Sequence, residues 1–204
     1  MKTKAGSKLY SLKETYWIFY HGIRTLKYMI RAKRNDELTM PNIERIMLAV
    51  TEVNGCGICS YAHTKIALEA GLSDEEVANL LSGEFERVPK EELTGVLFAQ
   101  HYADSRGKPS QASWERVIEE YGPSTAKGIL GATRGIMVGN AYGIAWSSFF
   151  NRFKGKPDPR SNLFYEVAIM TLGTLFIPMA MVHAVAVMFI KKPVIVFAPS
   201  NSVS

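Results

Sequence analysis

Residues 44–63 read Glu44-Arg45-Ile46-Met47-Leu48-Ala49-Val50-Thr51-Glu52-Val53-Asn54-Gly55-Cys56-Gly57-Ile58-Cys59-Ser60-Tyr61-Ala62-His63, and their pattern sets the fold class. The first half is apolar at helical spacing. Pro41 suits a first helical turn, so a helix is expected from there to about Val53. Asn54-Gly55 ends it. A further helix starts near Cys56 and stops at Gly71. On that helix, offsets of three and four put Cys56, Cys59 and His63 on one face.

The same helical reading extends outward. Upstream, Leu12, Tyr16, Phe19, Ile23, Leu26 and Ile30 form an apolar stripe over residues 11–34. Arg24, Lys27, Arg31 and Arg34 form the opposite one. Downstream, Ser73-Asp74-Glu75-Glu76 is a capping box opening a short helix. Pro89 precedes another, to about Ser105. A turn at 107–110 leads to a sixth helix, and Gly122-Pro123 breaks the chain before a seventh that ends near Phe153. Only Val194–Phe197 resembles a strand. The expected fold is all-α, a helical bundle with three parts. These are a basic amphipathic helix in 1–40, a helical core in 41–153 and an apolar helical region in 161–192.

Two patterns predict packing. Gly131, Gly135, Gly139 and Gly143 recur every four residues, which predicts a groove into which a helix packs closely. Residues 167–190 carry no formal charge, long enough to span a bilayer, with Lys191-Lys192 beyond. Gly173, Pro178 and His183 interrupt the run. Two buried helices broken near Pro178, inside an oligomer, are the preferred expectation; membrane contact through 167–190 is the alternative.

Net charge is +5, and the excess is local. Residues 1–40 hold nine Lys or Arg against three acids, leaving the remainder near neutral. A solvated helix face accounts for this, and no nucleic-acid motif accompanies it. The start lacks a signal-peptide pattern, so a cytoplasmic, reducing setting is expected, with membrane association through the apolar segment as the alternative. The two cysteines close almost no loop, so they are poor as a staple. Spacing alone supports redox chemistry, with Cys56 at a helix N-terminus and His63 one turn from Cys59 as a base. It also leaves open zinc held with Glu44 or Glu52, or two inert thiols.

Glu44, eleven residues, then Cys56-x-x-Cys59-x-x-x-His63 resembles the core of the alkylhydroperoxidase D / carboxymuconolactone decarboxylase family. The close resemblance covers roughly residues 40–85, with a looser helical likeness to about 150. It implies an all-helical homo-oligomer, trimeric or hexameric, with thiol-dependent peroxidase activity. It implies no bound cofactor; the partners are a hydroperoxide and an external thiol or disulfide electron donor. It also implies that Cys59 attacks, Cys56 resolves, and Glu44 with His63 relays protons. Helix-dipole reasoning alone would pick Cys56 as the attacking thiol; His63 beside Cys59 favours the family assignment.

Two features depart from the pattern. The family's best-known peroxidase has a histidine between its cysteines, where this chain has Ile58. The C-terminal apolar region is not part of the family core. Decarboxylase chemistry, which does not depend on a Cys-x-x-Cys pair, fits poorly. A non-enzymatic redox sensor is the rival reading from another class. Glu52 reads as an exposed or capping carboxylate. His21, His101 and His183 each stand alone, with His101 the candidate to share the pocket. Trp17, Trp114 and Trp146 read as core.

Overall fold

The computed structural model describes residues 9–188, 190 and 192–199. Expectations for residues 1–8, Phe189 and Lys191 lie outside them. Among the described residues there are seven helices and no strand, so the all-α expectation holds. They are α1 (Leu12–Arg34), α2 (Met40–Asn54), α3 (Gly57–Glu69), α4 (Asp74–Ser82), α5 (Lys90–Asp104), α6 (Gln111–Arg152) and α7 (Leu163–Met188).

Local chemistry fixes the ends. Ser11, Thr39, Ser73 and Ser110 each cap a helix by accepting a hydrogen bond from the backbone N–H three residues on. Ser11 and Glu14 complete a capping box on α1. Gly55 closes α2 at φ 65°, a left-handed turn that suits glycine. The expected break at Gly122-Pro123 is present: Gly122 leaves the helical region at φ 74°, ψ 165°, and α6 is two helical stretches joined across that kink.

The core forms around α2, whose Ile46, Leu48, Ala49 and Val50 are wholly buried, and around α6, which packs against α1, α2, α3, α5 and α7. Val194–Phe197 is an irregular strap. Its Ile195 is buried, Arg134 Nη1 donates to the Val194 carbonyl, and Ala198 N–H donates to the Pro109 carbonyl.

The buried face of α1 differs from the expected stripe. Thr15, Phe19, Gly22, Thr25 and Ala32 face inward, while Leu26 and Ile30 are exposed. Small residues decide this. A Cβ at Gly22 would lie 2.5 Å from Val138 Cγ2, and one at Gly128 would lie 2.6 Å from Ala32 Cβ. The two helices approach through their small side chains, and that close contact outweighs the larger apolar residues one position away.

The expected break near Pro178 is absent, and α7 is one helix. A proline costs a helix one hydrogen bond and some crowding. Pro178 sits on the exposed side, away from the face of Ala180, Ala184 and Val187 that clusters with Phe19 and Tyr20 of α1. Leu163–Val187 is long and apolar enough to cross a membrane, and only 22% of its apolar window is buried.

Glu166 ties the start of α7 to the end of α6. Its buried carboxylate accepts from Arg152 Nε at 2.6 Å and from Ser148 Oγ at 2.6 Å. Bonding to Arg152 outweighs burial, and with the serine hydroxyls it holds the carboxyl down to about 2 from an ordinary 4.5. Glu14 is likewise held at about 2, first by Arg106. Unfolded, both take protons near 4.5; folded, they resist until about 2. Their contribution to stability is therefore complete above the unfolded value and is lost as pH falls through this window. Chemical denaturation between about pH 6 and about pH 2.5 is expected to show stability falling with acid, and Glu166→Gln is expected to flatten that slope. An unchanged slope in the variant would contradict the assignment.

Candidate active site

Gly55 turns the chain between α2 and α3 and delivers Cys56 as the N-cap of α3, with Cys59 in its first turn. The two sulfurs are joined as a disulfide, with the Cα atoms 5.3 Å apart. Cys56 is wholly buried, whereas Cys59 is 8% exposed and opens onto a groove. One turn further along α3, His63 Nδ1 lies 2.8 Å from Glu44 Oε2 across the α2–α3 interface. Glu44 is only 2% exposed. A buried carboxylate so placed fixes the orientation of the imidazole ring.

The structure thus brings all four predicted residues to one corner, as a disulfide and a carboxylate–histidine pair. Glu44 is not paired with its neighbour Arg45. Arg45 turns to Glu76 at 2.5 Å and Glu92 at 2.8 Å. Glu52 is half-buried rather than exposed, with its carboxyl beside Gly83 at the end of α4. His101 does not share the pocket. Its Nε2 accepts from the Ser110 N–H at the start of α6. Among the described residues, no three of His, Cys, Asp and Glu gather as a metal ion would require.

The groove encloses about 1060 Å³ between α3 and α6, with Phe19 and Ile177 contributing from α1 and α7. Cys59 and His63 lie on one wall, and Tyr142, Trp146 and Phe150 on the other. Trp146 is therefore a groove residue rather than core, and Trp17 is 41% exposed; only Trp114 is buried as expected.

Gly143 is the residue whose role the sequence reading missed. A Cβ there would stand 3.0 Å from Cys59 Sγ and 3.1 Å from Cys56 Sγ, so the missing side chain lets α6 lie directly on the disulfide. The four-residue glycine spacing marked the position but not its partner. The stripe is not one helix-filled groove. Gly131 takes α1, Gly143 takes the disulfide, Gly135 has open space, and Gly139 meets only Ile136 of its own helix at 3.7 Å.

Residues 19–85 match the carboxymuconolactone decarboxylase family. The alkyl hydroperoxide reductase AhpD of Gluconacetobacter diazotrophicus is 32% identical over 80 residues, 36% of this chain and 44% of that protein. The proteins of the same name from Coxiella burnetii and Methylobacterium sp. are 25% identical over 85 residues and 28% over 81. Those alignments cover 38% and 36% of this chain and 48% and 46% of the relatives. The chain thus spans less than half the length of the curated relatives it matches. No solved structure matches it. The resemblance read from Glu44 to His63 is borne out over this segment, at modest identity.

Proposed function

We propose that this protein is a dithiol peroxidase that reduces organic hydroperoxides and is recharged by an external dithiol. The observation that carries the reading is a Cys56–Cys59 disulfide and a Glu44–His63 pair meeting at one apolar groove. The similarity to proteins named alkyl hydroperoxide reductase supports the same class of chemistry.

In this cycle the Cys59 thiolate attacks the distal peroxide oxygen. The O–O bond breaks, Cys59 becomes a sulfenic acid, and the departing alkoxide takes a proton from His63 to leave as the alcohol. Cys56 then attacks the Cys59 sulfur, expelling water and forming the disulfide. Two exchange steps with the external dithiol restore both thiols, so hydroperoxide plus dithiol gives alcohol, water and the donor's disulfide. Glu44 keeps His63 oriented throughout. The apolar groove suits a hydroperoxide with an organic body over hydrogen peroxide itself.

The test is turnover of cumene hydroperoxide with dithiothreitol as donor. Many equivalents consumed per chain are expected, and Glu44→Gln is expected to lower the rate by about 10²-fold. Consumption that stops at one equivalent, despite excess donor, would instead describe a redox sensor and end the peroxidase reading.

A further inference from the structure

A second cavity, of about 730 Å³, lies away from the dithiol and has no part in the chemistry above. It sits between α1, the α5–α6 turn and the C-terminal strap. Its apolar part is aromatic, with Trp17, Tyr20 and Tyr102 on the wall. Its charge is lopsided: Lys13, Arg24, Arg106, Lys108, Arg134 and Lys192 line it against one carboxylate, Glu14. That carboxylate is already bound to Arg106 at 2.8 Å.

One of these groups is unusual for its depth. Arg134 is only 2% exposed, yet its partners among the described residues are neutral, the Tyr102 hydroxyl at 2.7 Å and the Val194 carbonyl at 2.9 Å. A buried cation balanced by neutral dipoles leaves a strong positive potential around it. Arg24 donates to the carbonyls of Lys192 and Pro193, again neutral. A guanidinium has five N–H donors. The bonds just named use two of them on each of Arg24 and Arg134.

His21 completes the site. Its Nδ1 is buried and has no hydrogen-bond partner. Burial first, then the charges of Arg134, Arg24 and His183, push its pKa down to about 3, so the ring is neutral at ordinary pH. A neutral imidazole with one uncommitted nitrogen can still give or take one hydrogen bond. His183 is the satisfied partner of the pair, within hydrogen-bond distance of the Tyr16 hydroxyl at 2.8 Å and stacked on Tyr20.

We propose that this cavity binds an organic monoanion, an aromatic carboxylate whose ring lies on Trp17 and Tyr20 and whose carboxylate faces Arg24, Arg134 and His21. The cavity is of the size that small-molecule sites usually have. A carboxylate matches the planar guanidinium fork and accepts readily from an imidazole N–H. Lys13 and Lys108, exposed at the rim, would draw the anion in. The site does not depend on the dithiol reading.

Calorimetric titration of the full chain with naphthoate and with naphthamide tests this, since the two share a body and differ in charge. Naphthoate is expected to bind at least about tenfold more tightly, a difference of about 1.4 kcal/mol. Arg24→Gln is expected to erase that preference, while Gly139→Leu, which fills the groove over the dithiol, is expected to leave it in place. Because Arg24 also holds the strap, the double variant Lys13→Gln/Lys108→Gln serves as a second arm, with affinity for naphthoate expected to drop about fivefold. Equal affinity for the two ligands, or no binding of either, would overturn the proposal. So would loss of naphthoate binding in Gly139→Leu, or affinity unchanged in the lysine variant.

Discussion

Replacing Cys59 by serine is expected to lower hydroperoxide turnover by on the order of 10³-fold or more, the scale seen when a covalent nucleophile is removed. The hydroxyl keeps nearly the same shape but does not ionise at working pH, so the attacking species is gone while the fold stays. Cys56→Ser is expected to behave differently. It retains the attacking thiol and loses only the resolving one. That variant should consume one equivalent of hydroperoxide and stall with a sulfenic acid on Cys59, which a dimedone-type probe would trap and mass spectrometry would locate. The asymmetry rests on access, because Cys56 is wholly buried and Cys59 opens onto the groove. Undiminished turnover in Cys59→Ser would remove the mechanism. The reverse pattern, with the adduct on Cys56, would exchange the two roles and favour helix-dipole reasoning after all.

How far the sequence reaches is clearest at this site. Cys56, Cys59 and His63 were legible from local periodicity on one helix, and Glu44, on the helix before Gly55, from the spacing of the family that the segment resembles. The residues that complete the site are distant in sequence. Gly143, Trp146 and Ile177 reach the dithiol groove only through the packing of α6 and α7, which no local pattern encodes. The same limit explains α1. Its hydrophobic period favoured Leu26 and Ile30, but the inward face was chosen by how closely Gly22, Thr25 and Ala32 can meet α6. It explains His21 and His183 too, which are solitary in sequence and share one aromatic cluster in space. The family match ends at residue 85, before α5, α6 and α7. One wall of the groove is therefore contributed by helices outside the matched segment.

The glycine stripe gives the second large effect, on stability. Gly131→Leu is expected to destabilise the protein by up to about 2 kcal/mol, since overpacking a tight interface costs about 1–3 kcal/mol and better helix propensity returns about 1. The geometry leaves little choice. A Cβ at Gly131 would stand 2.8 Å from the Thr25 carbonyl oxygen and 3.0 Å from the Met29 backbone nitrogen. These are backbone atoms of α1, which cannot swing aside as a flexible side chain can, so the helix itself must shift. Gly139 is the matched control on the same helix. A Cβ there meets nothing nearer than Ile136 Cδ1 at 3.7 Å. Gly139→Ala therefore gains the helix propensity without the clash and is expected to stabilise by about 1 kcal/mol. Urea denaturation of the two variants beside the wild type measures both. Opposite signs would show that Gly131 is kept for the α1–α6 contact and that Gly139 has no such packing need. If Gly131→Leu matched the wild type, that contact would not be what holds α1 against α6, and the close approach at Gly22 and Gly128 would have to carry it alone.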